Sequence, residues 1–153
     1  VETPTGGRVA RVANLVKEAT FMLTFGDGVS NVDIGRLLEF HRSHGRRATV
    51  TAVRPPGRFG EMGFDGDRVT SFAEKPTDGG AWISGGFFVL EPGVLDYVHE
   101  GDDWSGDCLP RLADQGQLMA YRHESFWQCM DTAREKTLLE DLWQANKAPW
   151  KTW

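Results

Sequence analysis

The segment Phe21-Met22-Leu23-Thr24-Phe25-Gly26-Asp27-Gly28 decides the fold, because an apolar run passes directly into a Gly-Asp-Gly turn. Such a run predicts a buried strand, and in an open α/β sheet ligands bind beyond the carboxyl ends of the strands. A carboxylate at Asp27 can meet a divalent cation there, while the flanking glycines let phosphate oxygens approach the main chain. Asp-Gly is also among the commonest turn dipeptides, so a plain tight turn is the alternative.

The sequence on either side of this segment alternates between strand and helix patterns. Strands are predicted at 48–54, 82–90, 118–123 and 126–130, and helices at 33–44, 94–99, 109–115 and 132–145. Residues 59–64 and 68–74 are predicted to form a hairpin around Asp65-Gly66-Asp67. Residues 1–8 are predicted to be loop, and 9–16 fit either a helix or a strand with a turn. We therefore expect one α/β domain over residues 1–153, with a largely parallel sheet whose strands at 21–25, 48–53 and 87–90 are buried.

Composition excludes several classes of protein. The chain is 40% hydrophobic and 25% charged, as in an ordinary globular protein. A net charge of −5 and the lack of a basic stripe argue against nucleic-acid binding. No apolar run approaches the roughly 20 residues of a spanning helix, so we expect no membrane contact. Cys108 and Cys129 lack metal-ligand spacing and could form one disulfide bridge, and the four histidines form no ligand cluster in the sequence.

Three further patterns are candidates for chemistry. Asp131 follows the predicted strand 126–130, where it can be either a ligand-binding residue or the N-cap of the next helix. Glu74-Lys75-Pro76 ends a predicted strand with two charged side chains. Gly85-Gly86 interrupts an apolar strand, which often marks close approach of a ligand or of another backbone. The tryptophans near the C-terminus are explained either by a partner contact or by a tail that packs back on its own domain.

Longer blocks of sequence carry a family resemblance. In order and spacing, the chain resembles the glucose-1-phosphate cytidylyltransferases, a group of the sugar-phosphate nucleotidyltransferase family. The blocks are Thr5-Gly6-Gly7-Arg8, 21–28, 48–60, 72–76, 82–90, 118–123, 126–132 and 147–153. Three places depart from the family pattern: Ser84 stands where the family has Asn, Cys129 where it has Pro, and Asp107-Cys108-Leu109-Pro110 where it usually has Glu-Pro-Leu-Glu.

The resemblance implies a fold, a reaction and a set of site residues. The fold is a three-layer, Rossmann-like α/β domain with a mixed sheet, and the reaction joins CTP and glucose 1-phosphate into CDP-glucose and pyrophosphate. Asp27 and Asp131 match the family aspartates that hold Mg²⁺, the expected cofactor. The expected substrate-binding residues are Thr3, Arg8, Gly26, Arg58, Glu74, Lys75, Gly85, Gly86 and Trp127. Glucose 1-phosphate or CDP-glucose is the expected ligand, with CTP as a further one, and the expected location is the cytoplasm.

The resemblance also implies an incomplete site. Family members begin earlier, with a strand and a Gly-Gly-x-Gly-Thr-Arg loop around the triphosphate, and that motif does not occur in these 153 residues. We therefore expect little turnover from these residues alone, and a homo-oligomer that covers the exposed edge of a sheet lacking its N-terminal strands. A non-catalytic binding or assembly protein is the alternative function.

Overall fold

A computed structural model describes residues 3–55, 61–73 and 81–153. The α-helices are α1 (Thr5–Val16), α2 (Ile34–His44), α3 (Leu109–Asp114) and α4 (Ala133–Gln144). The strands are β1 (Phe21–Thr24), β2 (Gly28–Ser30), β3 (Ala48–Val53), β4 (Glu61–Asp65), β5 (Arg68–Ala73), β6 (Ile83–Leu90), β7 (Leu118–His123) and β8 (Trp127–Cys129). A 3₁₀ helix (Pro92–Tyr97) and a π-helical turn (Trp104–Cys108) precede α3.

The chain divides into two compact units. The first comprises Val1–Gly26, Val32–Thr51 and Gly86–Arg122, and the second comprises Asp27–Asn31, Ala52–Gly85 and His123–Trp153. Strands β3, β6 and β7 each contribute residues to both units, so the expectation of a single domain stays a prediction.

A four-stranded sheet in the order β1-β6-β3-β7 organises the first unit. β1 pairs antiparallel with β6, so that Phe21 lies opposite Leu90 and Thr24 opposite Phe87. The order places β6 beside β3 although the β4–β5 hairpin separates them in sequence. The expected α/β fold class is confirmed, with a mixed sheet.

Alternation along β3 produces three layers, since successive strand residues point to opposite faces. Ala48 lies in an apolar core that α1, the 3₁₀ helix, the π-helical turn and α3 close over. The buried members of this core are Val9, Ala48, Phe88, Leu90, Val94, Val98, Trp104, Cys108 and Leu112. The next residue, Thr49, contacts His41 of α2 on the other face, with 2.8 Å between Thr49 Oγ1 and His41 Nδ1. The sheet therefore lies between two helical layers.

A directed chain of hydrogen bonds fastens α2 to the sheet. The main-chain N–H of Arg46 can only donate, so Nδ1 of His44 accepts it at 2.9 Å and Nε2 carries the proton of the neutral ring. His44 Nε2 lies 2.7 Å from Thr49 Oγ1, whose own proton is then given to His41 Nδ1. His41 Nε2 donates to Glu91 Oε1 at 3.1 Å. Every polar atom of the buried His41 ring is thereby paired.

Two expectations about the first unit are wrong. Residues 5–8 belong to α1 and not to a loop, and 9–16 continue that helix. β1 is not a buried strand, because Met22 is 48% exposed while its neighbours Phe21 and Leu23 pack against the core. A strand at the edge of the sheet has one strand neighbour, and here only one of its two faces is covered.

The second unit contains two antiparallel ribbons and α4. β2 pairs with β8, and β4 pairs with β5 across a two-residue Gly66-Asp67 turn in which Gly66 adopts φ 61°. The hairpin prediction is thus confirmed for residues 61–73. The C-terminal tail packs back, because Trp150 stacks on Phe126 with ring centroids 5.4 Å apart, although Trp153 remains exposed.

None of the helices in the part of the chain described by the structure has both the length and the apolar character needed to cross a bilayer.

Candidate functional site

The β2–β8 ribbon brings Asp27 and Asp131 to the same end of the second unit. Gly28, the first residue of β2, lies opposite Cys129, the last residue of β8. Asp27 directly precedes the first strand, and Asp131 follows the second by two residues. The N–H of Met130 donates to the carbonyl of Asp27 at 2.8 Å, which continues the ladder beyond both strands. Two exposed carboxylates from distant parts of the sequence therefore extend from adjoining backbone.

The start of α4 decides one open question about Asp131. Thr132, and not Asp131, is the N-cap, because Thr132 Oγ1 accepts the N–H of Glu135 at 3.3 Å. Glu135 completes the capping box by accepting the N–H of Thr132 at 2.9 Å. The helix consequently makes no use of the Asp131 carboxylate. The N-cap interpretation of Asp131 is wrong.

Cys129 is placed beside two acidic side chains. Its Sγ lies 3.6 Å from Glu135 Oε1, and the donor atoms of Cys129, Asp131 and Glu135 all lie within 4.8 Å of one another. Burial is the main cause that raises the pKa of the Cys129 thiol, followed by its hydrogen bond to the Asp131 side chain and by the nearby charges of Asp131 and Glu135. The thiol therefore acts as a hydrogen-bond donor towards these carboxylates.

Trp127 is fixed at the other end of β8. Its indole Nε1 donates to the carbonyl of Gly85 at 2.9 Å. The two candidate substrate-binding residues Trp127 and Gly85 are thus brought together. Ser30, which lies opposite Trp127, contributes to a cluster with His123.

The Ser30–His123 pair resembles a hydrolytic dyad only in its residue types. Ser30 Oγ donates to the carbonyl of Phe126 at 2.9 Å. His123 Nε2 lies 3.0 Å from Asn31 Oδ1 and 3.1 Å from the same Phe126 carbonyl, both of which can only accept. The histidine therefore donates from Nε2 and cannot take the serine proton. This cluster links the end of β2 to the loop before β8 and does not activate a nucleophile.

Gly86 has a structural reason to be glycine. Its φ is 79°, and a Cβ there would come within 2.7 Å of the Phe25 ring. The Phe25 N–H donates to the carbonyl of Gly86 at 3.0 Å. The close approach of the chain at Phe25 therefore accounts for Gly86, as one of the two interpretations of the Gly85-Gly86 pair predicts. Gly86 and Gly26 both belong to the first unit.

The N-terminal candidates also lie in the first unit. Arg8 Nε donates to the carbonyl of Thr3 at 3.0 Å, so the arginine holds its own N-terminal turn. A Cβ on Gly7 would come within 2.1 Å of the carbonyl oxygen of Glu100, and one on Gly6 within 2.7 Å of that of Asp102. These glycines let α1 pack directly on a loop backbone.

Three predicted substrate-binding residues, Arg58, Glu74 and Lys75, lie outside the described residues. Glu135, in contrast, was missed by the sequence analysis. Its signal is the capping-box pattern, a Thr followed three residues later by a Glu, which Thr132 and Glu135 form at the start of the last predicted helix.

Comparisons with known proteins identify the family. The family model of nucleotidyl transferases matches residues 5–148. The chain is 52% identical over 151 residues to a protein of Salmonella typhi named glucose-1-phosphate cytidylyltransferase, covering 97% of this chain and 59% of that protein. It is 34% identical to a probable glucose-1-phosphate cytidylyltransferase of Bacillus subtilis strain 168, covering 100% of this chain and 61% of that protein.

Solved structures agree on the fold. HddC from Yersinia pseudotuberculosis superposes with a TM-score of 0.65 at 21% identity, covering 90% of this chain and 61% of that one. A putative glucose-1-phosphate thymidylyltransferase from Bacillus anthracis gives a TM-score of 0.65 at 15% identity, covering 100% of this chain and 63% of that one. The expected nucleotidyltransferase fold is confirmed. The chain spans about three fifths of the length of these two relatives from Salmonella typhi and Bacillus subtilis, and it belongs to the nucleotidyl transferase family.

Proposed function

We propose that these residues form the sugar-phosphate-binding and cation-binding part of a glucose-1-phosphate cytidylyltransferase. Such an enzyme joins CTP and glucose 1-phosphate to give CDP-glucose and pyrophosphate. Support comes from the 52% identity to the Salmonella typhi protein of that name. The observation that supports the proposal most directly is the 2.8 Å hydrogen bond from the Met130 N–H to the Asp27 carbonyl, because it joins the main chain of one predicted cation ligand to the residue before the other, Asp131.

The donor set at this end of the ribbon fits Mg²⁺. Asp27 and Asp131 offer hard carboxylate oxygens, which Mg²⁺ prefers, and both residues are exposed enough to leave room for water ligands. Asp27 and Asp131 would hold the Mg²⁺, which would offset the negative charge of the phosphate groups.

The chain's own residues would bind and orient the sugar phosphate. Trp127 offers a rigid apolar surface, because the hydrogen bond to Gly85 fixes its indole. Lys75 is a compact cation suited to a phosphate, and Glu74 is an acceptor for sugar hydroxyls. Arg58, which follows Pro55-Pro56-Gly57 in the sequence, remains a further predicted substrate-binding residue.

Calorimetry with the 153-residue chain tests this proposal. We expect glucose 1-phosphate or CDP-glucose to bind better than CTP, and Lys75→Ala to abolish the sugar-phosphate signal. Arg68→Ala is a matched control, because Arg68 is a described cation that pairs with Asp65 at the hairpin turn. CTP binding that is unaffected by Lys75→Ala, together with no sugar-phosphate binding, would contradict the proposal.

Self-association is a further part of the proposal. Among the described residues, β1 has a strand neighbour on one side only, and Met22 on it is about half exposed. An uncovered edge and an apolar side chain favour pairing with a second copy. We expect light scattering to give the mass of a dimer or larger assembly. The interface between the copies should bury more than roughly 1,000 Å². A monomer at all concentrations would contradict this part alone.

A further inference from the structure

The Glu135 carboxylate accepts hydrogen bonds beyond the one that a capping box requires. Its Oε2 accepts the N–H of Thr132 at 2.9 Å, which is the capping-box bond. The same oxygen also accepts the N–H of Asp131 at 2.9 Å. This second bond contributes nothing to the helix, because Asp131 lies before the N-cap. It acts on the residue that we propose as a cation ligand.

Two hydrogen bonds hold the consecutive main-chain N–H groups of Met130 and Asp131. The N–H of Met130 is held by the carbonyl of Asp27 at 2.8 Å. The N–H of the next residue, Asp131, is held by Glu135. The backbone from which the Asp131 carboxylate projects is therefore tied both to the other aspartate and to α4.

Glu135 is suited to hold this backbone rather than to bind a cation itself. Oε2 accepts two N–H groups, and Oε1 accepts the Cys129 thiol at 3.6 Å. Both carboxylate oxygens of the half-buried Glu135 are thereby engaged with the protein.

We infer that Glu135 is a positioning residue for cation binding. By accepting the main-chain N–H of Asp131, it orients the Asp131 carboxylate towards a cation shared with Asp27. This inference rests on the proposed function, which supplies the cation. Groups that hydrogen-bond behind a metal ligand commonly affect metal affinity by about 10-fold to 100-fold when they are removed.

Titration of the 153-residue chain with Mn²⁺, followed by electron paramagnetic resonance, tests the inference without any assay of turnover. We expect Glu135→Ala to weaken Mn²⁺ binding by about 10-fold or more. Glu135→Gln keeps an oxygen that can accept the Asp131 N–H, and should recover most of the affinity. Amide hydrogen exchange gives a cation-free measurement: Asp131 should exchange faster in Glu135→Ala than in the parent chain.

Thr132→Ala is the matched control, because it removes the N-cap hydroxyl from the same helix and leaves the Glu135–Asp131 bond in place. We expect it to destabilise α4 while binding Mn²⁺ like the parent chain. Equal loss of Mn²⁺ affinity in Thr132→Ala and Glu135→Ala would overturn the inference, since helix stability alone would then explain both.

Other outcomes separate this inference from the proposed function. Loss of Mn²⁺ binding in Asp131→Asn but not in Glu135→Ala would overturn the inference alone. Failure of the parent chain to bind Mn²⁺ at all would contradict the proposed cation site and the inference with it. Weak binding by Glu135→Gln with Asp131 still protected from exchange would show that charge matters and positioning does not. If Glu135→Ala does not fold, Glu135→Gln and the exchange of Asp131 decide the question.

Discussion

Helices α2 and α4 both begin after an aspartate, and the two aspartates are used differently. Asp33 is the N-cap of α2, where its Oδ1 accepts the N–H of Arg36 at 3.0 Å. At α4 the cap is Thr132 with Glu135, and Asp131 lies outside the helix. A capping aspartate has its carboxylate committed to backbone donors, whereas an aspartate before a Thr cap is available to a ligand. The identity of the next residue therefore separates a structural aspartate from a candidate functional one.

Beyond their first turns, α2 is more deeply buried than α4. α2 buries Leu37 and His41, and the histidine joins the hydrogen-bond chain through Thr49. α4 buries only Leu139 among its residues, while the neighbouring Leu138 is 45% exposed. We therefore expect substitutions in the body of α2 to affect stability most, and substitutions at the start of α4 to affect cation binding most.

The largest expected effect is a difference in stability between a substitution in the middle of α2 and the same substitution in the middle of α4. Leu37 is 1% exposed, so Leu37→Ala removes buried apolar surface and leaves a cavity, at a cost of about 2–5 kcal/mol in the free energy of unfolding. Leu138→Ala, the same change at an exposed site of α4, should cost less than about 1 kcal/mol. Urea unfolding followed by tryptophan fluorescence measures both. Equal losses would show that α4 contributes as much to the core as α2.

A smaller effect should separate the two helix starts. Asp33→Ala and Thr132→Ala each remove an N-cap and should each cost about 1 kcal/mol of stability. Asp131→Ala should change stability by about 0.5 kcal/mol or less, because the helix does not use this carboxylate. It should nevertheless lose Mn²⁺ binding, which Asp33→Ala should leave unchanged. A loss of stability in Asp131→Ala equal to that in Thr132→Ala would contradict the distinction.

Local signals predicted α2 better than α1. Asp33 before Ile34 and Gly45 after His44 mark both ends of α2, and Gly45 takes the left-handed conformation that ends many helices. α1 lacks such marks, because Gly6 and Gly7 in its first turn are typical of a loop. Their presence is explained by the approach of the main chain at Glu100 and Asp102. That contact is tertiary and cannot be seen in local sequence.

The candidate site was predictable only in part. Family resemblance marked Asp27 and Asp131, and the strand patterns before them indicated which end of each strand they follow. The three-residue strands β2 and β8 are too short to predict their pairing, yet this pairing brings the aspartates together. The chain through His41, Thr49 and His44 was missed because its members are neighbours only once α2 packs on β3.

The smallest expected effect concerns pH and again separates α2 from α4. Burial is the main cause that lowers the pKa of His44 below its ordinary value of 6.5, and the charges of His41 and Arg46 lower it further. The folded state therefore binds this proton less readily than the unfolded chain does. The stability that neutral His44 contributes to the fold is fully present above pH 6.5 and is lost as the pH falls through the folded pKa. Glu91, whose pKa is also lowered, loses its contribution to stability only below its ordinary value of 4.5.

We expect the urea concentration at the unfolding midpoint to decrease from about pH 8 to about pH 5, and His44→Gln to flatten that decrease. Thr132→Ala should lower the midpoint equally at every pH in this range, because no histidine lies in α4. A pH profile unchanged by His44→Gln would show that the hydrogen-bond chain on α2 does not titrate with folding.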